Sequence, residues 1–121
     1  MKLKNTKKYK ISSYVSVQDE EFNTYEEWTE PREFYANIYP ATSKLQTELY
    51  GERINNIMNM LIDGCYNITS DGNKLTYHFR DFSISEGDGI CVYGEDVDYK
   101  VISIKPWSHL QCEIERISTN G

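Results

Sequence analysis

Apolar and polar residues alternate over residues 9–17, with Tyr9, Ile11, Ser13, Val15 and Val17 on one side and Lys10, Ser12, Tyr14 and Ser16 on the other. Side chains of an extended chain point to opposite faces in turn, so this pattern predicts a half-buried strand. Residues 19–31 show no period and are crowded with Glu, Asn and Thr, which reads as a loop with room for a strand extension around Trp28. A second strand is predicted over 33–39, with Phe34, Ala36 and Ile38 inward and Tyr35, Asn37 and Tyr39 outward. Pro40 ends it, having no N–H to give to a ladder.

Residues 41–62 are ambiguous. Leu45 and Leu49 share one helical face, and Ile54, Ile57, Met58, Leu61 and Ile62 fit another, but the two stripes are out of phase and Gly51 lies between them. The reading adopted is a short helical or irregular excursion over 42–50, then a strand over 53–63 with Ile54, Met58, Met60 and Ile62 on one face. Gly64 and the Asp71-Gly72-Asn73 turn bracket 65–69, and 75–79 alternates again, suggesting a hairpin or an extended excursion. Strands over 90–93, 97–104 and 110–117 follow as a meander joined by polar turns. In the last, Leu110, Cys112 and Ile114 form a dry face and Gln111, Glu113 and Glu115 a wet one. The sum is a mainly β chain, a small barrel or sandwich of six or more antiparallel strands with a long excursion between the second and third.

The chain has 121 residues, the size of one domain, and that domain is taken to span 1–121 with 1–8 as a flexible basic arm. Ten tyrosines favour strands and contact surfaces, because the ring suits a pleated sheet while the hydroxyl keeps a polar partner. Apolar runs such as Met60-Leu61-Ile62 are far short of the ~20 residues that cross a bilayer. The basic start lacks the apolar run and cleavage site of a secretory signal, so a cytoplasmic location is expected. Three widely spaced cysteines, Cys65, Cys91 and Cys112, read as free thiols packed in the core. The net charge is −6, the wrong sign for tight binding to phosphates. It is unevenly spread: residues 1–10 hold five of the 13 basic residues, and 19–33 hold seven acids beside a single Arg32.

No catalytic constellation emerges. His78 and His109 have no acid at an orienting spacing, and nothing local activates a thiol, so the expectation is buried cysteines and surface histidines. His109 and Cys112 form the one close metal-ligand pair, yet alternation puts them on opposite faces of a strand, and no metal or cofactor is expected. Glu86 with Asp88, and Asp96 with Asp98, sit among glycines and read as turn chemistry. The Gly87-x-Gly89 pattern lacks the third glycine and helix of a dinucleotide site.

The order of the pieces resembles the head-completion proteins of long-tailed bacteriophages, also called head-closure, stopper or head-tail connector proteins. The resemblance covers most of the chain and rests on KISSYVSVQDEE, EFYANIYPATSKLQTELYGERINNI, SEGDGICVYG and DYKVISIKPWSHLQCEIERI. It implies a small β-barrel assembled as a ring, commonly a dodecamer, in the virion neck. There it would sit beneath portal and adaptor and above the tail terminator or completion protein, after assembly in the host cytoplasm. It also implies that the excursion faces the central channel and helps to retain packaged DNA, with Lys44, Leu45, Gln46, Glu48, Leu49 and Tyr50 as plug or lumen contacts. Double-stranded DNA would pass without sequence-specific binding, and an acidic wall suits that passage. Tyr14, Tyr35, Tyr39 and Trp107 are candidates for the subunit interface. Alternatives are the neighbouring adaptor layer or a tail-completion protein, a small ligand-binding barrel, and, third, a hydrolase.

Overall fold

The structure is a computed structural model that describes residues 6–117. In chain order the elements are strands β1 (Lys7–Ser12), β2 (Tyr14–Gln18), β3 (Thr24–Trp28) and β4 (Arg32–Pro40), followed by helix α1 (Lys44–Tyr50) and a 3₁₀ segment (Gly51–Asn56). Then come β5 (Ile57–Ile62), β6 (Asn67–Asp71), β7 (Lys74–His78), β8 (Ser83–Ile84), β9 (Gly89–Cys91), β10 (Tyr99–Pro106) and β11 (Leu110–Arg116). Six strands close an antiparallel barrel in the order β1-β4-β5-β11-β10-β9, and two small sheets, β2-β3 and β6-β7-β8, are appended to it. The mainly β reading of the sequence is therefore the observed fold. The excursion falls between β4 and β5, the second and third strands of the barrel in chain order.

Alternation fills the interior. Ile11, Phe34, Ala36, Met60, Ile62, Ile90, Val101, Leu110, Cys112 and Ile114 are buried together. Closure removes most of the unpaired ladder that an open sheet would expose. The segment over 66–84, expected as a hairpin or an extended excursion, packs against this core. Tyr77 and Ile84 join it, and Phe82, stacked on Phe79 (centroids 4.8 Å apart), meets Phe34 at 5.1 Å.

Several expectations are corrected. The strand expected over 9–17 is two strands in two sheets. The chain turns at Ser13, whose N–H donates to Thr29 Oγ1 (2.9 Å) and whose carbonyl accepts from Thr29 N–H (2.7 Å). A period of two continues through such a turn, so alternation alone could not mark it. The strand extension expected around Trp28 within 19–31 is β3, paired with β2 from Tyr14↔Trp28 to Gln18↔Thr24. The third barrel strand starts at Ile57, not at 53, because the 3₁₀ segment occupies the intervening residues and leaves Ile54 outside the core. The arm over 1–8 is shorter at its inner end: Lys7 and Lys8 are in β1, paired with Ala36 and Tyr35, and residues 1–5 lie outside the described residues. Cys91 and Cys112 are buried as expected, but Cys65 is exposed, in the link before β6. Glu113, expected on the wet face of β11, is 3% exposed.

Candidate functional site

The burial of Glu113 follows from the position of α1. Ser43 caps this helix: its Oγ accepts from Gln46 N–H at 3.1 Å and donates to Gln46 Oε1 at 3.0 Å, a Ser-x-x-Gln start that satisfies an otherwise orphaned amide. Gly51 ends it at φ 59°, where a glycine carries no Cβ penalty, and its N–H reaches Thr47 O. Residues four apart share a helix face. Gln46 and Tyr50 form the inner face and lie across the outer wall of the barrel, over β5 and β11.

That contact is polar. Gln46 Nε2 donates to Asn59 Oδ1 (2.6 Å) and Glu113 Oε2 (2.8 Å), and Tyr50 Oη donates to Glu113 Oε1 (2.7 Å). Asn59 and Glu113 are cross-strand partners on β5 and β11, so one helix face bridges two barrel strands. Burial, with Glu113 as the second cause, pushes the Tyr50 phenol up to about 12. Outside this clasp Arg53 makes a two-point pair with Glu115 (2.9 and 2.8 Å) and lies over the Tyr50 ring, which holds the Glu115 carboxyl below its usual range. No residue of α1 is buried. Its outer face presents Leu45, 73% exposed, and Leu49, 70% exposed.

The six channel candidates thus divide into two groups. Lys44, Leu45, Glu48 and Leu49 face solvent, whereas Gln46 and Tyr50 are turned into their own barrel wall and their polar atoms are used there. Helical spacing separates these faces, but the partners of the inner one lie 13 to 67 residues away in sequence. A buried acid at an expected outward position is a clue only once the helix above it is known.

The interface candidates are all exposed, and no ring contact joins the four. Tyr35 and Tyr39 share the outer side of β4, with Lys8 Nζ 5.9 Å from the Tyr35 ring centroid. Tyr14 packs on Trp28 at 4.7 Å at the root of the β2–β3 hairpin. Trp107 stands in the turn between β10 and β11, where its carbonyl accepts from Tyr66 Oη at 2.7 Å. Sequence reasoning missed the exposed hairpin residues Phe22 and Tyr25, and Tyr93 in the link after β9.

Reactive groups are dispersed. Burial pushes the Cys112 thiol up to about 12 and raises the Cys91 thiol, which disfavours the thiolate that a nucleophile needs. His78 Nε2 lies 2.7 Å from Thr69 Oγ1, and the fold brings Asp63 to 3.5 Å from His109 Nδ1, a neighbour that sequence spacing did not reveal. Among the described residues no group of three His, Cys, Asp or Glu side chains is placed to hold a metal ion. The acids near glycines serve turns: Asp88 Oδ2 accepts from Ser85 N–H at 2.8 Å, and Asp98 accepts from Val92 and Tyr93 N–H at 2.7 and 2.9 Å. Burial raises the Asp88 carboxyl to about 6. No helix among the described residues is long and apolar enough to cross a membrane. No family model matches the chain, and neither a curated protein nor a solved structure matches it.

Proposed function

We propose that this chain is a non-catalytic structural subunit of the neck of a long-tailed bacteriophage, a head-closure ring that retains packaged DNA and joins head to tail. The observation that carries the reading is the placement of α1: a short helix between the second and third barrel strands, fixed to the wall by polar groups and presenting Leu45 and Leu49 outward. The resemblance noted in the sequence gives this segment to the channel. In this reading Lys44, Leu45, Glu48 and Leu49 supply the contacts with the channel or with α1 of a neighbour, while Gln46 and Tyr50 hold the helix in place.

The charge supports the same reading. A net charge of −6 gives a duplex no electrostatic grip and favours its passage. A ligand-binding barrel finds less support, because the interior is filled by side chains such as Met60, Ile62, Leu110 and Ile114, each 0% exposed. Deletion of the gene from the phage that encodes it tests the proposal. The expected outcome is filled heads that lose their DNA and fail to join tails; particles with stably filled, tailed heads would refute it.

A further inference from the structure

The β2–β3 hairpin is a second feature that the barrel does not explain. An isolated two-stranded hairpin is marginal in water, and stability normally requires a third strand or a packed face. Here every residue of β2 and β3 is exposed or only half-buried, and among the described residues β2 and β3 each pair only with the other. Val15, Val17 and Tyr25 lie on one face, and Phe22 at the tip is 79% exposed with φ 66°, a conformation unusual for an aromatic residue. The root is packed by contrast: Trp28 lies over Gly89, and the Tyr14 ring sits tilted on Trp28 at 4.7 Å. The hairpin is an arm held at its root, with an apolar face and two edges that are unpartnered among the described residues.

Its charge indicates what it meets. Between Tyr14 and Pro31 there are six acids (Asp19, Glu20, Glu21, Glu26, Glu27 and Glu30) and no Lys or Arg. The whole chain has 19 acidic and 13 basic residues, so these six account for its entire net charge of −6 and the remainder is balanced. None of the six forms an ion pair among the described residues. The opposite pole is the start of β1. Lys7, Lys8 and Lys10 are exposed there, and Lys8 makes a solvent-exposed pair with Glu33 and lies over the Tyr35 ring. On β1, β9 pairs with Lys10, Ile11 and Ser12, so among the described residues Lys7, Lys8 and Tyr9 have ladder partners on β4 only. This leaves a basic stretch of strand with one unpaired edge.

We propose that the β2–β3 arm of one copy docks on the Lys7–Lys10 end of β1 in a second copy, acid to base and strand edge to strand edge. Two different patches on each copy make the contact head-to-tail, the kind that closes into a ring when the rotation permits. The inference deepens the neck reading and rests on it for that closed geometry, but the contact can be tested apart from it.

The experiment is a charge swap followed by sedimentation velocity at low ionic strength, up to millimolar protein. One variant reverses the arm from −6 to +2 (Glu20→Lys, Glu21→Lys, Glu26→Lys, Glu27→Lys), and the other reverses the strand (Lys7→Glu, Lys10→Glu). Wild type is expected to associate as concentration rises and to dissociate with added salt. Each variant alone is expected to associate about a hundredfold more weakly or not at all, because like charges then face each other, while an equimolar mixture regains association. Should the strand variant fail to fold, the arm variant against wild type, with hydrogen exchange on β2 and β3, still decides. Wild type that stays monomeric throughout, or an arm variant that associates like wild type, would overturn the contact. A monomeric chain whose deletion still empties phage heads would overturn this contact and leave the neck reading standing. Charge-swapped association together with normal phage lacking the gene would do the reverse.

Discussion

Tyr50→Phe and Gln46→Ala test the clasp that holds α1 on the barrel. A seven-residue helix does not persist alone in water, since nucleation is unfavourable and the propagated turns are too few to offset it. α1 buries no residue, so apolar packing does not hold it. What remains is the donation from Tyr50 and Gln46 to Glu113 and Asn59, and the exposed Arg53–Glu115 pair, worth about 0.2–1 kcal/mol. A hydrogen bond to a charged group contributes about 1.5–3 kcal/mol. Removing the Tyr50 hydroxyl should therefore raise the local opening constant of α1 about 10- to 150-fold. Native-state hydrogen exchange reads this directly at the Thr47 amide, bonded to Ser43 O at 3.0 Å, and at the Gly51 amide, bonded to Thr47 O. The double variant should exchange faster than either single one, but by less than the product. Once α1 has melted, water reaches Glu113 and solvates it. Amides of β5 and β11 should keep most of their protection. Wild-type exchange at Thr47 and Gly51 in the double variant would refute the clasp.

Three further outcomes follow from named groups. The Tyr50 phenol is held at about 12 against its ordinary 10, so its contribution to stability should be complete below pH 10 and lost as pH rises through 12. Ultraviolet phenolate titration of wild type against Tyr50→Phe checks this by the loss of the last-ionising tyrosine. Asp88 is raised from 3.8 to about 6, so the native state binds the proton more tightly than the unfolded chain; its contribution is complete below about pH 4 and lost as pH rises through 6. Urea midpoints between pH 4 and 7 should fall by the equivalent of on the order of 2–3 kcal/mol, and Asp88→Asn should flatten that slope. Gly89→Ala would put a methyl group against Val97 and within 2.8 Å of the Trp28 ring at the root of the hairpin. It should cost about 1–3 kcal/mol in chemical denaturation and perturb Trp28 fluorescence.

The barrel was legible in the sequence because its strands are dry on one side only. Phe34 and Ala36 on β4, and Leu110, Cys112 and Ile114 on β11, all point inward as alternation predicts. The excursion before β5, read as helical or irregular, was legible from Gly51 and from two apolar stripes out of phase, but its Leu45–Leu49 stripe is the exposed face of α1 and not a packed one. What could not be read depends on partners distant in sequence. Ser13 changes sheets without breaking the period of two, because the reason for the turn is Thr29 across the hairpin root. β3 is announced only by Trp28, which packs over Gly89 at the hairpin root; its other residues are exposed and mostly polar. Glu113 looks wet until α1, about 65 residues earlier, supplies two donors above it. The channel candidates fall within one short stretch, residues 44–50. Helix geometry divides them, because Gln46 and Tyr50 lie a turn apart on the side opposite the solvent.

The most direct measurement of the proposed neck role is cryo-electron microscopy of the neck of phage particles produced with this gene present. A ring of density beneath the portal that accommodates the six-stranded barrel, with α1 toward the axis and Leu45 and Leu49 nearest the channel, is the expected result. Absence of such a ring, or a ring with α1 on its outer circumference, would contradict it.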